Sequence, residues 1–335
     1  MKWIIFNESN LSRYIDFIEN DSRSGIWHYP SWLKFQLASN KASDGFFFGI
    51  ENENKIKLAG LFLIYKSSLK FSYGYIPAGF LYNDIDDEIY SFFLKNLKEI
   101  SKSKKIVFTR IDSIIPFDEK FHGLINSRKY HILNIKAPIP SFSTIISLNQ
   151  TEKEMLEKMK PKGRYNIKLA SKKGVKVVKG SKNDVKIFYS LLKETSSRDG
   201  FFANSEEYYE KMIETLPECE LLLAIYQSKI IAASIFTYTK NQGLYYYGAS
   251  SNEYRNLMAP YLIQWQAIIN AKERGCLCYD FLGVSNPDNP DSLSKVTNFK
   301  LKFGGKIVQF NPSFCIIHKN LIYHFYKIIK KILNR

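Results

Sequence analysis

The sequence predicts an α/β protein made of two domains of one type, in which helices pack on mixed sheets. The chain has 335 residues, which is enough for two domains of roughly 100–200 residues each. Hydrophobic residues make up 45% of the chain and charged residues 24%, the balance of a globular protein with a buried core. Both halves also follow one coarse order of helix, hairpin strands, helix and strand, which two related domains would explain.

The elements of the first half follow from apolar runs and turn signals. Residues 46–50 and 58–65 are apolar runs separated by the polar sequence ENENK, which predicts a β-hairpin. Apolar residues recur at helical spacing over 84–101 and predict an amphipathic helix. A strand is expected at 106–111, ended by Asp112, and another at 142–148 after two prolines.

The second half begins with a helix signal. Thr151 followed by Glu154 forms a capping box, and Pro161 and Gly163 are expected to interrupt the helix before a second one runs to Gly174. The remaining predicted elements are strands at 175–178, 221–226, 230–238, 243–249, 278–282 and 306–310, and helices at 184–196, 205–215 and 259–274.

The last segment, 320–335, predicts a basic amphipathic helix. Two roles remain open for it: docking on a domain core, or contact with a membrane surface. Its apolar face is formed by Leu321, Ile322, Phe325, Ile328, Ile329 and Ile332, and its basic residues are Lys327, Lys330, Lys331 and Arg335.

The net charge of +16 favours partners that carry phosphate or anionic lipid, although a lysine-rich composition alone would also raise it. The charge is clustered, however: residues 158–182 contain ten Lys or Arg and no acidic residue. Arg164, Lys168 and Lys172 are spaced to share one helix face. The cluster predicts a surface that faces a polyanion, without distinguishing RNA from a diphosphate substrate or anionic lipid.

Several classes of protein are excluded. No apolar run approaches the length of a spanning helix, and the N-terminal residues lack the pattern of a signal peptide. Four cysteines in a chain of this length do not make a disulfide framework, so a reduced cytoplasm is expected. The histidines and cysteines lack metal-ligand spacing, and no phosphate-binding glycine loop or nucleophile elbow occurs, so neither a metal nor a bound cofactor is expected.

Short motifs spread over nearly the whole chain resemble the Fem (FemABX) family of non-ribosomal peptidoglycan aminoacyltransferases. Each motif alone is weak, but their shared order and spacing is specific. The motifs are Trp32-Leu33-Lys34, Tyr75-Ile76-Pro77-Ala78-Gly79, Arg110-Ile111-Asp112, Lys162-Gly163-Arg164-Tyr165-Asn166-Ile167, Arg198-Asp199-Gly200-Phe201 with Tyr208, Tyr245-Tyr246-Tyr247-Gly248, Ala259-Pro260-Tyr261, Tyr279-Asp280-Phe281-Leu282-Gly283 and Phe299-Lys300 with Phe303-Gly304-Gly305.

The resemblance implies two tandem acetyltransferase-like (GNAT-like) domains. The first would span 1–148, joined by the C-terminal helix 316–335, and would bind the acceptor. The second would span 149–315 and bind aminoacyl-tRNA. Only about 30 residues separate Gly174 from Ser205, too few for an inserted coiled-coil arm, so the chain is similar to the armless, FemX-like members. A monomer in the cytoplasm is expected, without a metal or cofactor.

The family's reaction moves an amino acid such as glycine, alanine or serine from tRNA to the third stem-peptide residue of UDP-MurNAc-pentapeptide or lipid II. By resemblance, Lys300 meets the aminoacyl end and the developing negative charge, and Phe299 stacks on the terminal adenine. Asp112 would hold the acceptor ammonium or help remove its proton. Arg164, Lys168 and Lys172 would bind the tRNA backbone.

The acceptor side is implied by the same resemblance. Lys34, Tyr208 and Tyr247 match acceptor-binding positions, where they would contact phosphate or sugar. The family pattern places an arginine for the diphosphate where this chain has Asn204. Arg198 is the expected replacement unless another basic residue or another binding mode takes over.

Two other functions remain open. The first is a GNAT-type N-acyltransferase that uses acyl-CoA or another donor. Its pyrophosphate-binding turn would fall at 255–260, where this chain has no glycine and where Pro260 lacks an N–H group, so CoA is disfavoured. The second is a non-catalytic basic protein that binds RNA or a membrane.

Overall fold

The computed structural model describes residues 1–127, 131–132 and 138–333. Two compact units make up the chain, Met1–Ser141 with Gln309–Arg335 and Phe142–Val308. Each unit contains a mixed sheet with flanking helices, which confirms the predicted α/β class. The unit boundaries lie earlier in the chain than the expected 148/149 and 315/316, because strand 142–147 pairs within the second sheet.

The described residues form strands and helices with the following bounds. The strands are β1 (Lys2–Phe6), β2 (Asp44–Asn52), β3 (Lys55–Lys66), β4 (Ser72–Ile76), β5 (Phe80–Tyr82), β6 (Ile106–Ile111), β7 (His131–Ile132), β8 (Phe142–Ser147), β9 (Lys176–Lys179), β10 (Cys219–Tyr226), β11 (Lys229–Tyr238), β12 (Gln242–Ser250), β13 (Cys278–Asp280), β14 (Lys306–Gln309) and β15 (Phe314–Ile317). The helices are α1 (Leu11–Glu19), α2 (Pro30–Ala38), α3 (Asp87–Ser103), α4 (Glu119–Ser127), α5 (Glu152–Lys158), α6 (Pro161–Lys172), α7 (Val185–Asp199), α8 (Glu206–Thr215), α9 (Ala259–Glu273), α10 (Ser294–Lys300) and α11 (Asn320–Leu333).

In the first unit, the sheet follows the order β1-β2-β3-β4-β6-β15-β7, and β5 pairs with β3. The predicted hairpin is β2–β3, and its turn residues Glu53 and Asn54 both have positive φ, as a two-residue turn between twisted strands requires. Helix α3 begins where the Asp86 side chain accepts a hydrogen bond from the Ile89 N–H at 2.8 Å. It then connects β4 to the parallel strand β6.

In the second unit, the order is β14-β8-β13-β12-β11-β10-β9. Strands β10, β11 and β12 form an antiparallel meander, and α9 connects β12 to the parallel strand β13. The pattern matches that of the first unit: three antiparallel strands, a crossover helix and a parallel strand. The parallel strand β13 ends at Asp280, opposite Leu244 of β12, and β12 continues to Ser250.

Two expectations about local structure have definite outcomes. The capping box is present, because the Thr151 side chain and the Glu154 side chain each satisfy the other residue's backbone N–H. The expectation that Gly163 interrupts a helix is wrong, since α6 begins at Pro161 and runs through Gly163 to Lys172. Pro161 supplies the break, because proline is suited to the first turn of a helix.

The C-terminal helix α11 docks with a different face from the expected one. Tyr323 is buried and Tyr326 packs on Phe71 and Phe108, whereas the expected apolar face is exposed except at the half-buried Ile329. Arg335, expected in this helix, lies outside the described residues. Among the described helices, none combines the length and apolar composition that crossing a bilayer requires.

Candidate active site

The ammonium group of Lys300 lies in a buried polar setting at the end of α10. The residue is 5% exposed, and its Nζ donates hydrogen bonds to the carbonyl oxygens of Leu282 and Gly283 at 2.6 and 2.7 Å. The ring centroid of Tyr245 lies 5.6 Å from the same nitrogen. No acceptor for a third N–H bond is found among the described residues. Lys300 therefore presents a charged donor that is held by two carbonyls and has one N–H available.

The two carbonyls belong to a turn with an unusual backbone. Leu282 and Gly283 both have positive φ, at 49° and 83°. Such a conformation is costly for leucine, and it persists only where neighbouring groups enforce it. Here the Asp280 Oδ1 atom accepts a hydrogen bond from the Leu282 N–H at 2.8 Å, which closes the turn. Asp280 thus shapes the segment whose carbonyls hold Lys300.

Asp280 itself is fixed by neighbours from other strands. The residue is 1% exposed, and its carboxylate accepts hydrogen bonds from the Ser143 hydroxyl and from the Gln242 amide, the latter at 3.2 Å. Burial raises the pKa of Asp280, while its hydrogen bonds to Ser143 and Leu282 and the Lys300 charge lower it. Each carboxylate oxygen has a partner, so the turn is held rigidly.

The charge state of Lys300 is tuned by the same surroundings. Burial lowers the pKa of Lys300 to about 7, and the Asp280 carboxylate acts in the opposite direction. The two carbonyl acceptors also favour the ammonium form. A lysine poised in this way changes its charge near neutral pH, which an exposed lysine does not do.

Phe299, the residue expected to stack on adenine, lies at the edge of the second unit's core. Its ring packs edge-to-face against Tyr261 and Phe303, with centroid distances of 4.9 and 5.4 Å. The side chain is half-buried. These two rings fix the orientation of Phe299 and leave part of it accessible.

The segment after Lys300 packs backbone to backbone against the end of α5 and the start of α6. A Cβ atom on Gly163 would lie 2.5 Å from the Lys302 carbonyl oxygen, and one on Gly304 would lie 2.6 Å from that of Lys158. The Lys160 N–H also donates to the Lys302 carbonyl at 3.1 Å. Glycine at these positions is therefore required for close approach, and the approach places the basic helix directly beside the Lys300 segment.

Replacing Gly163 by alanine should destabilise the protein by about 1–3 kcal/mol, because the added methyl group meets a backbone oxygen that cannot rotate away. The free energy of unfolding in urea measures this effect. Gly123→Ala is the matched control: Gly123 is also helical, nothing lies within 4 Å of the added Cβ, and the change should be neutral or stabilising. Equal effects of the two substitutions would contradict the close-approach interpretation.

The three basic residues expected to bind tRNA have different surroundings in the structure. Lys168 and Lys172 are exposed on α6, and Tyr165 on the same helix is 62% exposed. The Arg164 guanidinium instead donates to the carbonyls of Leu156, Glu157 and Met159, which lie in the last turn of α5 and just beyond it. The expected role of Arg164 is therefore revised, because its guanidinium satisfies carbonyls that the helix end leaves without partners. The exposed Tyr165 ring was not among the expected tRNA-binding residues.

The residues expected to bind the acceptor in the second unit have separate hydrogen-bond partners. Tyr208 and Tyr247 hydrogen-bond to each other, and burial raises the pKa of Tyr208 to about 12, so both stay neutral.

Arg198 forms hydrogen bonds to both carboxylate oxygens of Asp199 at 3.1 Å and to Asn252. The Asn204 N–H donates to the Tyr209 hydroxyl at 3.1 Å, next to Tyr208. Arg198 is thus already engaged by a carboxylate, which weakens it as the replacement for the missing arginine.

In the first unit, Asp112 is wholly buried after β6. Its Oδ1 accepts from Arg110 Nε and its Oδ2 from the Tyr75 hydroxyl, both at 2.8 Å. This geometry does not favour the expectation that Asp112 takes a proton from the acceptor, because no part of the carboxylate is exposed. Arg110 Nη2 is buried without a hydrogen-bond partner among the described residues. Lys34 is exposed on α2.

The turn where an acetyltransferase would hold CoA pyrophosphate offers few donors. Met258 precedes α9 with a φ of 56°, Pro260 has no N–H group, and the Tyr261 N–H donates to the Met258 carbonyl at 3.0 Å. A helix N-terminus binds phosphate through free N–H groups, and here two of the first three are unavailable. The structure thus supports the argument against CoA.

The sequence model of the FemAB family matches residues 126–226 and 218–331. The lipid II:glycine glycyltransferase of Staphylococcus epidermidis is 22% identical over 396 residues, covering 95% of this chain and 94% of that protein. The crystal structure of FemX superposes with a TM-score of 0.85 at 18% identity, covering 97% of this chain and 99% of that one. A tandem GNAT protein from the clavulanic acid biosynthesis pathway has a TM-score of 0.58 at 8% identity, with 95% and 98% covered.

The fold and these comparisons show that the protein is a transferase with an acyltransferase-type fold of two GNAT-like units, as predicted. The family model covers more than half of the chain. The chain therefore belongs to the FemAB family, which confirms the resemblance read from its motifs.

Proposed function

We propose that the protein transfers an amino acid from aminoacyl-tRNA to the side-chain amine of the third stem-peptide residue of a peptidoglycan precursor. The observation that carries this proposal is the buried Lys300 ammonium, with one N–H available, beside the basic helix α6. The name of the staphylococcal relatives, lipid II:glycine glycyltransferase, supports the class of reaction. The same name also favours glycine over alanine or serine as the transferred amino acid.

The reaction exchanges an ester for an amide. The amine lone pair attacks the ester carbonyl carbon, the C–N bond forms, and the C–O bond to the ribose breaks. The amine loses one proton and the ribose oxygen gains one. Because an unperturbed amine of this kind has a pKa of about 10.4, only its small neutral fraction is nucleophilic at neutral pH. Holding the two substrates together supplies up to about 7–11 kcal/mol in ideal cases.

In this proposal, Lys300 donates its remaining N–H to the oxygen that becomes negative in the tetrahedral intermediate. A fixed donor at that position is worth about 3–4 kcal/mol, provided that it does not need to reorient during the reaction. The carbonyls of Leu282 and Gly283 meet this condition, because they hold the ammonium before substrate arrives. Lys300 is therefore the catalytic residue of the proposal.

The tRNA would lie along α6. Lys168 and Lys172 are exposed there to contact phosphates, and Tyr165 offers an exposed ring for stacking. Phe299, whose ring is fixed by Tyr261 and Phe303, would stack on the terminal adenine beside Lys300. The exposed lysines of α6, the Phe299 ring and the Lys300 ammonium group thus belong to one continuous part of the second unit.

The acceptor would be bound by the polar groups that match acceptor-binding positions of the family. Lys34 would pair with a phosphate, and Tyr208 and Tyr247 would contact phosphate or sugar through their hydroxyls. Asp112 would act indirectly, by orienting the Tyr75 hydroxyl and the Arg110 guanidinium towards the stem peptide. Arg198 would contribute only after exchanging its contact with Asp199.

The proposal is tested by incubating the protein with tRNA charged with glycine, alanine or serine and with either UDP-MurNAc-pentapeptide or lipid II. Mass spectrometry should detect a precursor heavier by one amino-acid residue, and ribonuclease treatment of the tRNA should abolish it. Product formation from acyl-CoA that survives ribonuclease would instead identify an ordinary N-acyltransferase. Binding of tRNA without any product would leave a non-catalytic binding protein.

Reversing two charges on α6 should weaken tRNA binding and reduce its salt dependence. In the Lys168→Glu, Lys172→Glu double variant, the slope of log affinity against log salt concentration should fall by about one for each lost phosphate contact. Filter binding over a salt series measures this slope. Lys98→Glu with Lys102→Glu on α3 is the control, because these exposed lysines have the same spacing. An unchanged slope in the α6 variant would exclude this helix from the tRNA surface.

A further inference from the structure

Helix α11 is anchored to the first unit by one face only. Tyr323 is 4% exposed and its ring lies 5.2 Å from that of Phe108. The Tyr326 ring packs at 5.4 Å from both Phe71 and Phe108. These aromatic contacts fix the rotation of the helix about its axis, and they determine which residues face outward.

The outward face of α11 is apolar and open to solvent. It displays a stripe of large side chains at spacings of four, three and four residues, which lie above one another on a helix. The exposed fractions are 89% for Leu321, 62% for Phe325, 58% for Ile328 and 65% for Ile332. Ile322, beside the stripe, is 41% exposed. A contiguous exposed apolar surface of this kind marks an interaction site.

The charged residues of α11 are basic, and the ammonium groups of Lys327 and Lys330 lie 5.9 and 5.4 Å from the ring centroids of Tyr323 and Tyr326, on the docked side of the helix. Helix α11 contains Lys327, Lys330 and Lys331 and no acidic residue, and no Asp or Glu occurs anywhere in residues 292–335. The adjoining loop before Phe71 adds the exposed residues Lys66, Leu69 and Lys70. The surface therefore suits a partner that is apolar and negatively charged at once.

An anionic lipid bilayer has that chemistry, with acyl chains beneath a layer of negative headgroups. A helix with an apolar stripe and lysines but no acidic residue lies in this interface with its axis parallel to the surface. The 14 residues of α11 extend about 21 Å, which is shorter than the roughly 30 Å hydrocarbon core, so the helix would lie on the bilayer and not cross it.

We propose that α11 is a membrane-surface anchor that seats the first unit on an anionic bilayer through Leu321, Phe325, Ile328 and Ile332. A protein bound to the membrane in this way would take the lipid-linked acceptor in preference to the nucleotide-linked one. This consequence rests on the proposed function. The anchoring stripe shares no residue with the sets assigned to catalysis and to tRNA binding.

The test is vesicle co-sedimentation of the full chain. The wild-type protein should bind vesicles of phosphatidylcholine mixed with phosphatidylglycerol, bind phosphatidylcholine vesicles weakly, and dissociate at high salt. The Phe325→Ser, Ile328→Ser variant should lose about tenfold or more in partition coefficient. Ile187→Ser with Leu277→Ser, which removes comparably exposed apolar residues of the second unit, should bind like the wild type.

The anchor would be contradicted if the wild-type protein did not bind the anionic vesicles, or if the Phe325→Ser, Ile328→Ser variant bound them equally well. It would also be contradicted if light scattering showed a dimer in solution that this variant abolishes. The dimer would mean that a second copy covers the stripe. An unchanged melting temperature in the variant shows that the fold is intact, as exposed positions allow.

An activity comparison separates this inference from the proposed function. Transfer to a soluble nucleotide-linked acceptor should be the same in wild type and in the Phe325→Ser, Ile328→Ser variant, while transfer to lipid II in anionic vesicles should fall in the variant. Vesicle binding without transfer to either acceptor would contradict the proposed function and leave the anchor supported. Equal transfer to vesicle-borne lipid II by both proteins would contradict the anchor.

Discussion

Replacing Lys300 by methionine should lower kcat for aminoacyl transfer by about 10²–10³, because the variant keeps an unbranched side chain as far as Cε and loses the donor to the oxyanion. The carbonyls of Leu282 and Gly283 would lose their partner, at a stability cost of about 1–3 kcal/mol. The protein should therefore remain folded, and the Michaelis constant for tRNA should change little. Single-turnover rates with charged tRNA, together with the melting temperature, measure both effects.

Lys295→Met is the matched control for this substitution. Lys295 lies on the same helix, α10, and is exposed, so its loss should leave kcat within about twofold of the wild type, as expected for a surface change. Wild-type turnover by the Lys300→Met variant would remove Lys300 from the mechanism. It would also remove the main support for the proposed function.

The pH profile adds a second readout of Lys300. Its pKa is lowered to about 7 by burial, so the ammonium form is lost as pH rises through that value. The wild-type rate should thus show an alkaline decline beginning near pH 7, set against the rise that accompanies deprotonation of the acceptor amine. The decline should be absent in the methionine variant, whose remaining rate should only increase with pH.

Changing Asp280 to asparagine should move the alkaline decline to lower pH by roughly one pH unit or more. The Asp280 carboxylate raises the pKa of Lys300, so removing its charge lowers that pKa and leaves less ammonium at a given pH. At pH 8 the rate should fall roughly tenfold for each pH unit by which the decline moves. The asparagine oxygen can still accept the Leu282 N–H, so the turn is retained.

Ser143→Ala distinguishes the charge of Asp280 from its structural role. This substitution removes one hydrogen bond to the same carboxylate and leaves its charge in place. The alkaline decline should therefore stay close to its wild-type position. A uniform loss of rate at every pH in Asp280→Asn, with no displacement of the profile, would show that Asp280 serves only to hold the turn.

Much of the fold was predictable because local signals agreed with the tertiary structure. The hairpin of β2 and β3, the capping box at Thr151 and the strand β6 were all expected from the sequence and are present. Short elements such as β5 and α10 were not predicted, because they contain too few residues to show a periodic pattern of apolar side chains. Gly163 was misread because a glycine that permits close packing cannot be distinguished by sequence from one that ends a helix.

Sequence motifs nominate the residues of the candidate site, whose roles stay predictions, but they do not predict its geometry. The Phe299-Lys300 motif singled out the lysine, yet its acceptors are backbone carbonyls, which leave no trace in a sequence. The left-handed conformation of Leu282 was equally hidden, because leucine rarely adopts it. Arg164 appeared as part of a basic face, and only the structure reveals that its guanidinium is occupied by carbonyls at the end of α5.

The interrupted first unit has a consequence for biosynthesis. Strand β15 lies between β6 and β7 in the first sheet, although the whole second unit separates it from them along the chain. A ribosome therefore releases strands β8 to β14 before β15 can join the first sheet, and the edge of β6 that pairs with β15 stays unpaired during that time. Chains that end after Val308 and before Phe314, once released from the ribosome, should carry a complete second unit and an open, aggregation-prone first sheet that depends on chaperones.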